Sequence, residues 1–221
     1  MTIRDCFRAA VLIVVFASLA SAQTVTKTAE PFETLSWVPS PWNTAPGELN
    51  LADGAEGRAL AITVKYSGSG FEHFTADPGK PLWIPGDAAS VTLKVKRSHA
   101  KYGIKVGFAD GWGRSKVNGK LLDWSPKLGE AGRWQTVEFG VPDDWVRPVR
   151  IRGVNTHNWS ARGAKAEVTI MLDELTATTD LSDVDMATGK LRTWRSGPGE
   201  DGKPARQPTI PLVEIMTSGD D

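Results

Sequence analysis

The chain has 221 residues, with 26 Lys and Arg against 26 Asp and Glu, so its formal net charge at neutral pH is zero. A chain so balanced offers no basic face to a nucleic-acid backbone, and nucleic acid is not expected as a partner. Cys6 is the only cysteine, which leaves no internal disulfide, and 9 Trp is the one compositional excess.

Residues 1–22 read as an export signal peptide. Arg4 and Arg8 give a basic start, AAVLIVVFASLA follows as an apolar run, and Ala20-Ser21-Ala22 satisfies the small-residue cleavage rule. The run is shorter than the roughly 20 apolar residues a spanning helix needs, and no later segment approaches that length, so no membrane span is expected. The mature chain should be secreted or periplasmic. Cys6 would leave with the leader, removing any thiolate metal site.

From residue 60 onward, apolar residues recur at every second position, the signal of strands with one buried face. Leu60, Ile62, Val64 and Tyr66 share a face, as do Val91, Leu93 and Val95. The pattern returns in Ile104, Val106 and Phe108, in Val137, Phe139 and Val141, in Val149 and Ile151, and in Val168, Ile170 and Leu172. Between the runs stand the turn clusters SGSG, DPGKP, ADGWG, LGEAG and PDD, at the spacing of an all-β sandwich. The pattern predicts a two-sheet antiparallel β-sandwich over residues 23–180. Residues 181–221 have few apolar residues and many Gly, Pro and charged ones, and are expected to form a weakly ordered tail or a linker to a further domain.

Three stretches in order resemble the carbohydrate-binding modules with a galactose-binding-like jelly roll that are attached to secreted glycoside hydrolases. EPFETLSW with AEGRALAITVKY is similar to the opening strands of those modules, and GRWQTVEFGVP to their Gly-x-Trp-x-x-Val strand closed by proline. VTIMLDELTAT is similar to their last strand, where an aspartate interrupts the alternation. FADGWGR resembles their Asp-x-x-Gly turn more loosely. The resemblance implies a jelly-roll fold, binding of a poly- or oligosaccharide, and a neighbouring catalytic domain or protein as partner. It also implies a structural calcium held by Glu33 and Asp173 with backbone carbonyls near Gly57, an all-oxygen site suited to a hard cation. The alternative for Glu33 is an ion pair with a nearby Lys or Arg.

A sugar site combines exposed aromatic faces for C–H groups with polar side chains for hydroxyls. FADGWGRSKVNGKLLDW has that composition in Asp110, Trp112, Arg114, Asn118 and Trp124, and VNTHNWS in Asn155, His157, Asn158 and Trp159. Trp112 stands between two glycines, where it is either a stacking platform or a plug over the sheet rim. Trp37, Trp83 and Trp134 are expected to pack structurally, and Arg150 and Arg152 to form a solvated strand face.

Catalysis has little support. Sugar hydrolysis needs two carboxylates facing a cleft, and the adjacent pairs Asp143-Asp144 and Asp173-Glu174 would point to opposite sides of a strand. No Gly-x-Ser-x-Gly elbow is present, and His73, His99 and His157 are scattered. The chain therefore reads as a non-catalytic binding module. Its rivals are a structural or protein-interaction sandwich of the cell envelope and, less favoured, a jelly-roll polysaccharide lyase. A lyase would need a tyrosine in a groove, whereas Tyr66 lies on the predicted core face and Tyr102 is the only other tyrosine.

Overall fold

The computed structural model describes residues 24–210. The expected signal peptide and residues 211–221 lie outside that range. In chain order the strands begin with β1 (Thr24–Glu30), β2 (Trp37–Pro39), β3 (Gly47–Asp53), β4 (Arg58–Tyr66), β5 (His73–Pro78), β6 (Leu82–Trp83), β7 (Asp87–Arg97) and β8 (Gly103–Ala109). They continue with β9 (Lys116–Val117), β10 (Lys120–Leu121), β11 (Asp123–Trp124), β12 (Gln135–Gly140), β13 (Arg150–His157), β14 (Ala166–Asp180), β15 (Val184–Asp185) and β16 (Lys190–Leu191).

Two antiparallel sheets form the sandwich expected from the alternation. The first runs β12-β7-β14-β4-β3, with β1 also paired to β14; the second runs β11-β8-β13-β5-β2, with β6 also paired to β13. Every apolar residue named in the alternating runs is buried except Phe139, which packs half-buried against the core. The second sheet contributes Phe74, Ile104, Val106, Phe108, Ile151 and Val154 to the same core. Each such aliphatic or aromatic side chain removed from water contributes about 1.5 to 3 kcal/mol, which is what holds the sheets face to face.

Asp173 does interrupt the alternation in β14. A register shift against β7 falls between Asp173 and Thr176, and Glu174 takes φ +46°, so Leu172 and Leu175 both reach the core across the bulge. Trp37 is buried against Phe32, with ring centroids 5.6 Å apart. Trp83 is half-buried under Arg150, and Trp134 is half-buried under Lys96 rather than in the core.

The segment after β14 is more built than its composition suggests. β15 and β16 pair as a hairpin, Val184, Leu191 and Ile210 are buried, and the Gly189 carbonyl accepts from Ile210 N at 2.9 Å. Low apolar density hid this because three well-placed apolar residues anchor a segment whose other contacts are hydrogen bonds.

Candidate functional site

The outer face of the second sheet carries the side chains that alternate with its core residues. On β5 these are His73, Thr75 and Asp77, and on β8 they are Lys105 and Gly107. On β13 a register shift between Ile151 and Gly153 puts Arg152 at a bulge, after which Gly153, Asn155 and His157 continue the outer face. Pairing sets these residues in rows. Asn155 lies opposite Thr75 on one side and Lys105 on the other, and its Nδ2 donates to Thr75 Oγ1 at 2.8 Å. Gly153 lies opposite Gly107, which in turn lies opposite Asp123 of β11. Lys105 Nζ and Asp123 Oδ2 are 3.1 Å apart.

The two adjacent glycines lower the sheet surface at its centre. A Cβ on Gly153 would come 2.8 Å from the backbone carbonyl of Ala76 and 2.6 Å from Asp77 Oδ1, so only glycine fits against β5 here. The result is a groove of about 610 Å³ across β11, β8, β13 and β5. Trp42 lines its edge and is 82% exposed. Its turn is pinned to β5: Asn43 Oδ1 accepts from Thr75 N at 2.7 Å, Asn43 Nδ2 donates to Thr75 O at 3.2 Å, and Ser40 N donates to the same carbonyl at 2.9 Å. Trp42 is thus an exposed indole on a fixed support. The sequence SPWNT held the signal for it, since a tryptophan between Pro41 and Asn43 has no alternating apolar neighbours to share a core with.

Beyond Asn155 along the strands lies an aromatic end. His73 and His157 pair across β5 and β13, Phe71 stacks on His73 at 5.8 Å, and Trp159 meets Phe71 edge-on at 5.5 Å. Trp159 is 61% exposed, but the Arg162 guanidinium covers one face of its ring at 4.1 Å. Burial first, then the nearby charges of Lys105 and His73, hold the His157 imidazole below its ordinary pKa.

Of the sequence-predicted residues, Asn155 lines the groove and His157 and Trp159 stand at this end, whereas Asn158 is buried, its Oδ1 accepting from Glu72 N at 2.9 Å and its Nδ2 donating to Gly70 O at 2.8 Å. The stretch after β8 is arranged otherwise. Asp110 is fully buried: Oδ1 accepts from Trp112 N at 3.0 Å and Arg114 N at 2.9 Å, and Oδ2 from Arg114 Nε at 2.8 Å and Nη2 at 2.5 Å. Both carboxylate oxygens are therefore committed to closing their own turn. Trp112 Nε1 donates to Arg195 O at 2.8 Å, Arg114 lies over its ring at 4.5 Å, and Gly197 sits so close that a Cβ there would enter the indole. Trp112 is a plug under the C-terminal segment. Asn118 takes φ +51° at the tip of the β9–β10 hairpin, and Trp124 is half-buried, stacking on Phe139 at 5.6 Å.

Glu33 and Asp173 converge on one loop, residues 54–58. Asp173 is buried and its Oδ2 accepts from Ala55 N at 2.7 Å and Glu56 N at 3.2 Å, while Glu33 Oε1 accepts from Arg58 N at 3.3 Å. The donor types suit a hard cation. Each carboxylate has one oxygen outside these bonds, and Gly57, at φ +58°, packs directly on Glu33. Among the described residues no group of three or more His, Cys, Asp or Glu is placed to hold a metal, so any ion here would depend on the two carboxylates and loop carbonyls. Glu174 faces away from Asp173 and pairs with Lys94 Nζ at 2.5 Å.

No family model matches the sequence, and no curated protein matches it. Among solved structures, the chain is similar to a family 11 carbohydrate-binding module from Clostridium thermocellum in complex with a β-1,3-1,4-mixed-linked tetrasaccharide, at 14% identity and TM-score 0.45, covering 71% of this chain and 96% of that one. A solution structure of the C. thermocellum family 11 module gives 15% identity and TM-score 0.47 over 74% and 100%. A family 61 module in complex with β-1,4-galactotriose gives 12% identity and TM-score 0.43 over 69% and 94%.

Proposed function

We propose that this chain is a secreted, non-catalytic carbohydrate-binding module whose glycan lies in the groove on the outer face of the second sheet. One observation carries the reading: an indole 82% exposed, on a turn pinned to β5, at the edge of an open groove floored by Thr75, Asn155 and Lys105. A large apolar face left in water on a rigid support is ready to receive a flat partner with little ordering cost. A pyranose supplies that face through its C–H groups, and its hydroxyls match the acceptors and donors of Asp77, Thr75, Asn155 and Lys105. The groove is open along the sheet, so a chain segment fits it better than an enclosed single sugar.

The test is a glycan array probed with residues 23–221, followed by Trp42→Ala and Asn155→Ala on whatever polymer binds. Both variants should lose affinity and keep the wild-type melting temperature. An array without a single bound glycan would favour the structural sandwich instead.

Export and calcium complete the proposal. Cleavage after Ala22 would leave Gln23 as the first residue of secreted material, which N-terminal sequencing reads directly. A calcium ion held by Glu33 and Asp173 would staple the 54–58 loop without taking part in chemistry. EDTA should then lower the melting temperature by several degrees, because a ligand bound only to the native state adds stability by mass action. Unchanged melting, with no metal in elemental analysis, would assign both carboxylates to the loop N–H groups alone.

A further inference from the structure

The charges of the groove are unequal. Lys80, Lys105, Arg150 and Arg152 line it against Asp77 and Asp123, an excess of two positive charges in a chain whose total is zero. Lys105 is neutralised by Asp123 at 3.1 Å. Arg150 and Arg152 are not: among the described residues neither guanidinium has a carboxylate within ion-pair distance. Two like charges two positions apart on a strand repel each other, and an anion between them offsets that repulsion.

The bulge of β13 makes this arrangement. Because Gly153 rather than Arg152 pairs with Gly107, Arg152 is an extra residue on the outer face, and its Cβ lies 3.8 Å from where a Gly107 side chain would begin. Arg150 is half-buried beside it, its guanidinium 5.5 Å from the Trp83 ring centroid, and its Nε is buried with no hydrogen-bond partner. Burial, and then the charge of Arg152, push the Arg150 guanidinium below its ordinary pKa; Glu200, held by Ser115 at 2.5 Å, opposes this only from a distance.

We infer that the polysaccharide held in this groove is acidic, a uronic-acid polymer whose carboxylate is received by the Arg150–Arg152 pair. The inference rests on the glycan-binding reading above and adds the ligand's charge to it. A planar carboxylate matches guanidinium forks in geometry as well as sign, and its charge would relieve the repulsion between Arg150 and Arg152.

The experiment measures binding of the mature chain to polygalacturonate, alginate and glucuronate-bearing xylan beside neutral controls. These are mixed-linkage β-glucan and polygalacturonate with its carboxylates methyl-esterified, at low and at high NaCl. The expected result is about tenfold preference for the acid over its methyl ester, lost in Arg152→Ala and weakened by salt. Dextran sulfate, tested at matched charge density, should bind less well than the uronate polymer. Binding to neutral glucan with no preference for any uronate polymer would overturn the inference and leave the glycan-binding reading standing. Dextran sulfate binding as well as the uronate polymers would also overturn it, since charge without carboxylate geometry would suffice. Failure of every polymer, acid and neutral, would remove both.

Discussion

Trp42 and Trp112 both sit among turn-forming residues, and the fold sends them to opposite fates. Among the described residues nothing covers Trp42, whereas Trp112 is closed over by residues 195–197, more than eighty positions away in sequence. Local pattern cannot see such a partner, which is why the two glycines beside Trp112 gave no decision between platform and plug. Trp112→Ala should therefore cost about 2 kcal/mol of folding stability, less than the loss expected for a fully buried tryptophan, as read by urea unfolding. Asp110 was similarly opaque: its position in an Asp-x-x-Gly turn was visible, but the sequence did not say that both carboxylate oxygens are spent on Trp112 and Arg114. Asp110→Ala removes one member of a buried ion pair and should destabilise by about 3 kcal/mol, with glycan affinity per folded molecule unchanged.

Among the elements, the strands were the most legible part of the chain, because a period of two with β-branched residues on one face leaves few other solutions. The β14 bulge left a trace too, since the apolar face moves from even positions, ending at Leu172, to odd ones, resuming at Leu175, across Asp173 and Glu174. The β13 bulge was not: Arg-Ile-Arg-Gly-Val-Asn alternates well enough on either side of the shift to disguise it, so the approach of Arg152 to Gly107 had to come from the register. The turn between β4 and β5 carries a pH dependence of its own. Burial alone would raise the Glu72 carboxyl, but hydrogen bonds from Ser67 N, Ser67 Oγ and Gly68 N outweigh it and hold the group below its usual value. A carboxyl lowered in the folded state adds stability above its unfolded pKa and loses it as pH falls through the folded one. His157, also lowered, acts in the same direction, favouring the fold while neutral. Melting temperature should accordingly fall in acid, and the gap between wild type and Glu72→Gln should be widest near pH 7 and close towards low pH.

For the whole molecule, the C-terminal segment decides how much of the chain the folded unit needs. The hydrogen bonds from Trp112 Nε1 to Arg195 O and from Ser115 Oγ to Glu200 Oε1 tie residues 181–210 to the sandwich, while buried Val184, Leu191 and Ile210 and the β15–β16 hairpin give the segment a structure of its own. Replacing Gly197 with Ala would drive a methyl into the indole, so Gly197→Ala should expose this segment to protease while the sandwich itself resists cleavage. The same segment lies against the Trp112 loop and meets the groove at Ser115, through Glu200, while Trp42 stands exposed at the groove's edge. The most direct measurement is calorimetric titration of the bound glycan into wild type, Trp42→Ala and Trp112→Ala, paired with thermal melting. Trp42→Ala should lose about 1 to 3 kcal/mol of binding free energy and melt like wild type. Trp112→Ala should melt lower and bind as wild type per folded molecule. Loss of binding in Trp112→Ala, with Trp42→Ala binding normally, would contradict the assignment of the site.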